Sequence, residues 1–388
     1  MGRTVAEADG NGALDLLRIE VLAARIEAHG RADPDAGNLW RSEMAVAEAV
    51  ASVALEGRRL SETDLLPRVA GGTVAGDPVA GEQALALIRA LKAPGDPIAQ
   101  PAETLERLEG RVGGRNWNDD QTEPDADASL SALRDALATL RPGDPPILAG
   151  LRVSAAYAFA TERAQPVVER ALFMAVEGAR RREAPGPGGA VTHEEDPLRG
   201  LSGRVDADWV ATPALALSTH GYKPWSPASP AGLADLLEGL GQVLGMEIGR
   251  VGRARDWLRR ARACGEGRHG RSRLGDAAQA FASAPCLTAG LLADRIGVTP
   301  RGAINLIDAL VAEGLLREIT RRRTARIWSV PGLAERLAAR PRKVAARPPT
   351  ETVVPDPQAG RAAMARAFAD LDAALGRADL LLGRRRGG

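Results

Sequence analysis

At 388 residues the chain is longer than one ordinary core needs, and 45% hydrophobic with 26% charged residues is a globular balance spread over two or three domains. Its two cysteines, Cys264 and Cys286, exclude a disulfide framework and a Cys/His metal cluster. The net charge of +1 hides a polarity: residues 248–347 hold 21 Lys and Arg against eight Asp and Glu, so the remainder of the chain is acidic and the basic stretch fits a polyanionic partner.

A G+C-rich coding sequence accounts for arginine over the three lysines (Lys92, Lys223 and Lys343), but not for its concentration in one stretch. The first thirty residues lack a basic segment followed by an apolar one. The most apolar stretch, 147–176, is interrupted by Arg152, Glu162, Arg163, Glu169 and Arg170, so no membrane span is expected and a cytoplasmic setting is the default.

In chain order the pattern is mostly helical. Leu17, Val21, Leu22 and Ile26 recur at helical spacing within 14–28. A second helix is expected over 38–56, ended by Gly57, and Ser61 with Asp64 predicts a capped start for a third. Further helices are expected at 82–91, 101–108, 128–141, 146–163 and 166–183, with 110–127 as a loop. The run Ala184-Pro185-Gly186-Pro187-Gly188-Gly189 reads as a linker. Four prolines break up 206–231, and helical spacing resumes over 232–263, with glycines predicting breaks near Gly241 and Gly245. The domains expected are a helical body at 1–183, a linker at 184–203, and a helical segment at 204–274 ending in an Arg-rich helix and loop. A DNA-binding module at 275–332 and a basic tail at 333–388 follow. The tail's terminal helix places Met364, Phe368, Leu371 and Leu375 on one stripe, available for a homodimer or for folding back on the body.

The module carries the most specific pattern. Thr288 is placed to cap a short helix ending at Gly297, Val298 fills the turn, and Thr299 with Pro300 opens a second helix. Ala303, Leu306, Ile307 and Leu310, with Val311 beside them, form its inner face. This leaves Thr299, Arg301, Gly302, Asn305 and Asp308 outward. Helix, tight turn and helix within two dozen residues predict a helix-turn-helix, and the second helix would be the one that enters the major groove. Arg suits guanine and Asn suits adenine, so Arg301 and Asn305 are the base-reading candidates, with Thr299 on phosphate or a methyl group. After Gly314, two short strands around Arg321, Arg322 and Arg323 predict a wing hairpin, with Arg317 and Arg326 on its strands as further contacts. Arg259, Arg260, Arg271 and Arg273, in the basic helix and loop ahead of the module, are candidate phosphate contacts. Double-stranded DNA is thus the expected partner, in an α-helical protein with a C-terminal winged helix-turn-helix.

The motifs Arg253-Ala254-Arg255, Arg268-His269-Gly270-Arg271-Ser272-Arg273-Leu274 and Arg326-Ile327-Trp328-Ser329-Val330 resemble a family of bacterial proteins, common on rhizobial plasmids, that end in a helix-turn-helix domain. So do residues 47–57, followed by Asp64-Leu65-Leu66, and Trp117-Asn118-Asp119-Asp120. The resemblance covers most of the chain up to Val330 in patches. It implies that fold and DNA binding, and no known reaction; taken with the helix-turn-helix pattern, a transcriptional regulator or plasmid-associated DNA-binding factor is expected.

Ser52-Val53-Ala54-Leu55-Glu56-Gly57 also looks like the Ser-x-x-x-Glu-Gly inhibitory helix of Fic-type nucleotide transferases. There the Glu pairs with an Arg and blocks the ATP γ-phosphate, which would give Ser52, Glu56 and Gly57 that role. The enzymes' Gly-Asn-Gly-Arg run is missing, and His193 is followed by Glu194-Glu195-Asp196-Pro197, where phosphates would have to bind. His29, His220 and His269 have no better setting. The expectation is therefore a non-enzyme without cofactor or metal. The alternatives are a Fic-like nucleotide transferase, or a degenerate relative of one, with an appended winged helix, and a non-catalytic assembly or segregation adaptor. Asp119-Asp120 and Glu194-Glu195-Asp196 read as solvated loop charge.

Overall fold

The computed structural model describes residues 8–69, 72, 74–110, 126–161, 165–182, 205–219, 221–266, 272–320, 326–338 and 357–386. The expected linker at 184–203, most of the loop at 110–127, the run Arg321 to Arg323, Arg271, His193 and the acidic pairs lie outside them.

The chain is mostly α-helical. Among the described residues eight helices come first: α1 (Ala8–Ala32), α2 (Pro34–Leu55), α3 (Glu62–Val69), α4 (Pro78–Lys92), α5 (Pro101–Leu108), α6 (Ala126–Leu137), α7 (Pro146–Ala160) and α8 (Pro166–Arg181). Proline at the first position recurs because it has no N–H to leave unsatisfied there. The helix expected from residue 38 begins earlier, at Pro34, since Asp33 accepts the Ala36 N–H at 3.3 Å and caps it. At its other end Gly57 takes φ +79° and donates to Ala54 O, while Arg58 N–H reaches Val53 O. Ser61 N–H donates to the Asp64 carboxylate at 2.8 Å, so α3 starts with the expected local cap.

The body is completed by α9 (Pro213–Thr219) and α10 (Pro230–Gly265). The breaks expected near Gly241 and Gly245 do not occur: α10 runs unbroken for 36 residues, about 54 Å at 1.5 Å per residue. Its glycines at the packed face serve close approach instead. A Cβ on Gly239 would lie 2.6 Å from the carbonyl oxygen of Ala216, and one on Gly232 would lie 2.1 Å from that of Ser226. Burial against α1, α2 and α9 holds the helix through positions that would otherwise weaken it.

One apolar core runs from Leu16 in α1 through Phe173, Trp209 and Leu240 to Leu371. Several polar groups inside it are paired, whereas the side chains of Ser42, Gln83, Thr104 and Thr212 keep buried polar atoms without a hydrogen-bond partner among the described residues. Glu48 accepts the Ala214 and Leu215 N–H groups, each at 2.8 Å, at the start of α9. Trp40 Nε1–H donates to Glu247 at 3.0 Å, and Trp209 Nε1–H to Leu91 O at 2.7 Å. These contacts cross large sequence separations and fix α2, α4, α9 and α10 against one another.

The last part holds α11 (Leu274–Ser283), β1 (Cys286–Thr288), α12 (Ala289–Ile296), α13 (Pro300–Ala312), β2 (Arg317–Glu318), β3 (Ile327–Ser329), α14 (Pro331–Ala338) and α15 (Pro357–Arg386). The sheet is antiparallel with order β1-β3-β2; Leu287 and Glu318 both stand opposite Trp328. Helix α15 folds back on the body, burying Met364 and Leu371 with Phe368 packed beside them. Among the described residues no helix is long and apolar enough to cross a membrane.

Candidate nucleic-acid interface

Helix α11 places Leu274, Ala277, Ala278 and Phe281 at i, i+3, i+4 and i+7, all buried, and forms the floor of the module. Thr288 ends β1 and caps α12, its hydroxyl accepting the Leu291 N–H at 3.2 Å. Gly297 closes α12 at φ +66°, a left-handed conformation that costs a side-chain-bearing residue strain. The next N–H, on Val298, returns to Ala293 O, and the Val298 side chain packs against the core. Thr299 then caps α13 by accepting the Gly302 N–H at 3.1 Å, with Pro300 first in the helix.

Ala303, Ile307 and Leu310 are fully buried and Leu306 is partly so, while Val311 is 41% exposed and does not join the inner face expected for it. Thr299, Arg301, Asn305 and Asp308 point to solvent. Arg301 and Asn305, one turn apart, have no hydrogen-bond or ion-pair partner among the described residues. The helix ends in a Schellman arrangement: Gly314 N–H reaches Val311 O and Leu315 N–H reaches Leu310 O, both at 2.9 Å. The hairpin follows at once, closed by Ile319 N–H to Ile327 O at 2.9 Å and Ile327 N–H to Thr320 Oγ1 at 2.8 Å. Its tip, with Arg321, Arg322 and Arg323, lies outside the described residues.

The remaining candidate arginines separate by their neighbours. Arg260 is exposed with no partner among the described residues. Arg259, also exposed, pairs with Asp256 one turn earlier at 2.8 Å. Arg273 donates to the Ile296 carbonyl at the end of α12 and pairs with Asp276 at 2.9 Å. Arg317 lies 3.5 Å from Glu335. Arg326 donates to Glu318 and stands over Trp328, 4.9 Å from the ring centroid. Arg262, not among the sequence candidates, bonds Asp33 and Asp35 and fastens the end of α10 to the start of α2. Sequence reading also missed β1. Its only local signal is the apolar pair Cys286-Leu287 before a Thr cap.

At the other candidate site, the end of α2 meets α8. Buried Arg170 donates to Ser52 Oγ from Nε at 3.1 Å and from a terminal nitrogen at 2.8 Å, and pairs with Glu56 at 2.7 Å. Beside it, Trp225 Nε1–H donates to Glu169 at 2.7 Å, and burial raises the Glu169 carboxyl above its ordinary range. Among the described residues there is no group of three or more His, Cys, Asp or Glu able to hold a metal ion. His29 faces Arg255, remote from Arg170 in sequence and in its contacts. No family model matches the chain, and no curated protein matches its sequence.

Proposed function

We propose that residues 275–332 form a winged helix-turn-helix that binds duplex DNA, and that the protein is a transcriptional regulator or plasmid-associated DNA-binding factor. The observation that carries this reading is the outward pair Arg301 and Asn305, one turn apart and unpartnered among the described residues, on a Thr-capped helix next to a hairpin. The order helix, strand, helix, helix, strand, strand with sheet order β1-β3-β2 supports it, since that is the winged-helix arrangement. The N-terminal half of α13 would meet base edges in the major groove, and the basic hairpin tip would lie on the backbone.

The test is a titration on selected and random duplexes at several salt concentrations. Arg301→Ala should lose about 1–3 kcal/mol on the selected site and relax specificity, whereas Arg322→Ala should weaken every sequence alike and lower the salt slope. Equal losses for both variants on both duplexes would overturn the assignment. No binding to any duplex would favour an assembly or segregation adaptor.

A second reading, a Fic-like nucleotide transferase with an appended winged helix, is favoured by the Glu56–Arg170 ion pair, which is the kind of contact the inhibitory-helix resemblance implies. Incubation with labelled ATP tests it: label on the wild type, or on a Glu56→Gly variant, would support it, and none on either would remove it.

A further inference from the structure

The geometry points to Arg326 as a positioning residue that braces the two strands of the hairpin against each other, leaving phosphate contact to other arginines; this rests on the DNA-binding reading above. Side chains two apart on a strand share a face, so Arg326 lies on the face of Trp328, and Glu318 stands directly opposite Trp328 in the register. Arg326 therefore meets Glu318 on the diagonal. Its Nε and a terminal nitrogen donate to the same carboxylate oxygen at 3.0 and 2.5 Å, while the guanidinium plane lies over the indole at 4.9 Å. Asp308, on the outward face of α13, adds a weaker long-range pull on the same guanidinium without an ion pair to it; Glu318 is the carboxylate in contact. A phosphate approaching Arg326 would have to displace Glu318 in the field of Asp308. Arg301 and Arg260 carry no such ties among the described residues.

The discriminating variant is Glu318→Gln. It removes a negative charge beside the proposed interface, so charge alone predicts tighter DNA binding. A brace predicts the reverse, a loss of about two- to fivefold, the size of an exposed ion pair. Arg326→Gln should lose a similar factor with the salt slope of log K unchanged, whereas removal of a phosphate contact lowers that slope by about 0.9. The swap Glu318→Arg with Arg326→Glu should restore affinity. Tighter binding by Glu318→Gln, a lowered slope for Arg326→Gln, or a swap as weak as the single variants would each overturn the inference.

Hydrogen exchange gives an arm that needs no DNA. The Ile319 and Ile327 amides close the hairpin and should exchange faster in either single variant and at the wild-type rate in the swap; unchanged rates in both single variants would sink the brace. If the wild type binds no duplex, the functional reading fails while this arm still decides the role of Arg326.

Discussion

The indole N–H of Trp257 donates to the carbonyl oxygen of Leu315 at 2.7 Å in a buried setting, joining the long helix α10 to the residue that follows α13 and its left-handed Gly314. The N–H of the same Leu315 closes the Schellman turn on Leu310. One residue thus has its donor satisfied within the module and its acceptor satisfied by the body. Trp257→Phe keeps the packed ring but removes the donor to a buried carbonyl, and should cost about 1–3 kcal/mol. Urea unfolding will show this as a lower midpoint with an unchanged slope. A variant as stable as the wild type would mean that the bond contributes nothing to the junction.

Gly297 sets the angle between α12 and α13. Nothing lies within 4 Å of where its Cβ would be, so a substitution meets no steric obstacle and its cost is that of the backbone alone. At φ +66° Gly297→Ala should lose about 1–2 kcal/mol, and Gly297→Asn less, because Asn tolerates the left-handed region. Thermal unfolding of the three proteins checks the order. If Ala and Asn destabilise equally, something other than the left-handed strain is being measured.

These local devices were readable from residue types because each is made within a few residues. Thr288, Gly297, Thr299 and Gly314 act through bonds spanning at most five positions, and their chemistry specifies the conformation. Strand β1 was not readable, because Cys286, Leu287 and Thr288 become a strand only by pairing with β3 some forty residues on. The unbroken course of α10 was hidden for a similar reason. Whether Gly239 weakens a helix or admits a neighbour depends on Ala216. Arginine roles were the least legible: Arg262, Arg273 and Arg326 look like Arg301 in sequence. Asp33, the Ile296 carbonyl and Glu318 distinguish them, and only the fold brings those groups near.

Burial raises the Glu48 carboxyl to about 7, although two backbone N–H groups favour its charged form. Its ordinary value is 4.5, so between about pH 4.5 and 7 the folded chain holds a proton that the unfolded chain has released. The contribution of this group to stability is therefore complete below 4.5 and is lost as pH rises through 7. Glu48→Gln should narrow its stability deficit relative to wild type as pH rises across that window, since the amide does not titrate. Denaturant unfolding at half-unit steps measures the difference. A deficit that stays constant from pH 4.5 to 7 would show that Glu48 is charged throughout.

Helix α15 is held to the body at Asp372, whose carboxylate pairs with Arg141 and with the buried Arg152. Arg152 also pairs with Asp144 at 3.2 Å and lies over the ring of Phe368 at 5.0 Å. Met364, Phe368 and Leu371 are therefore turned inward, and a dimer through them would require the helix to leave the body first; the Leu375 side chain lies outside the described residues. Asp372→Ala removes one of the two carboxylates around a buried guanidinium, and about 1–3 kcal/mol of docking free energy should go with it. Asp372→Glu should recover part of that loss. The measurement is amide hydrogen exchange over 360–372, expected to accelerate in the Ala variant while α13 is unaffected. Sedimentation of the same variant separates the two uses of the stripe. A species that remains monomeric with α15 loosened confines the stripe to intramolecular packing, whereas a new concentration-dependent dimer would show that Asp372 keeps an assembly surface covered.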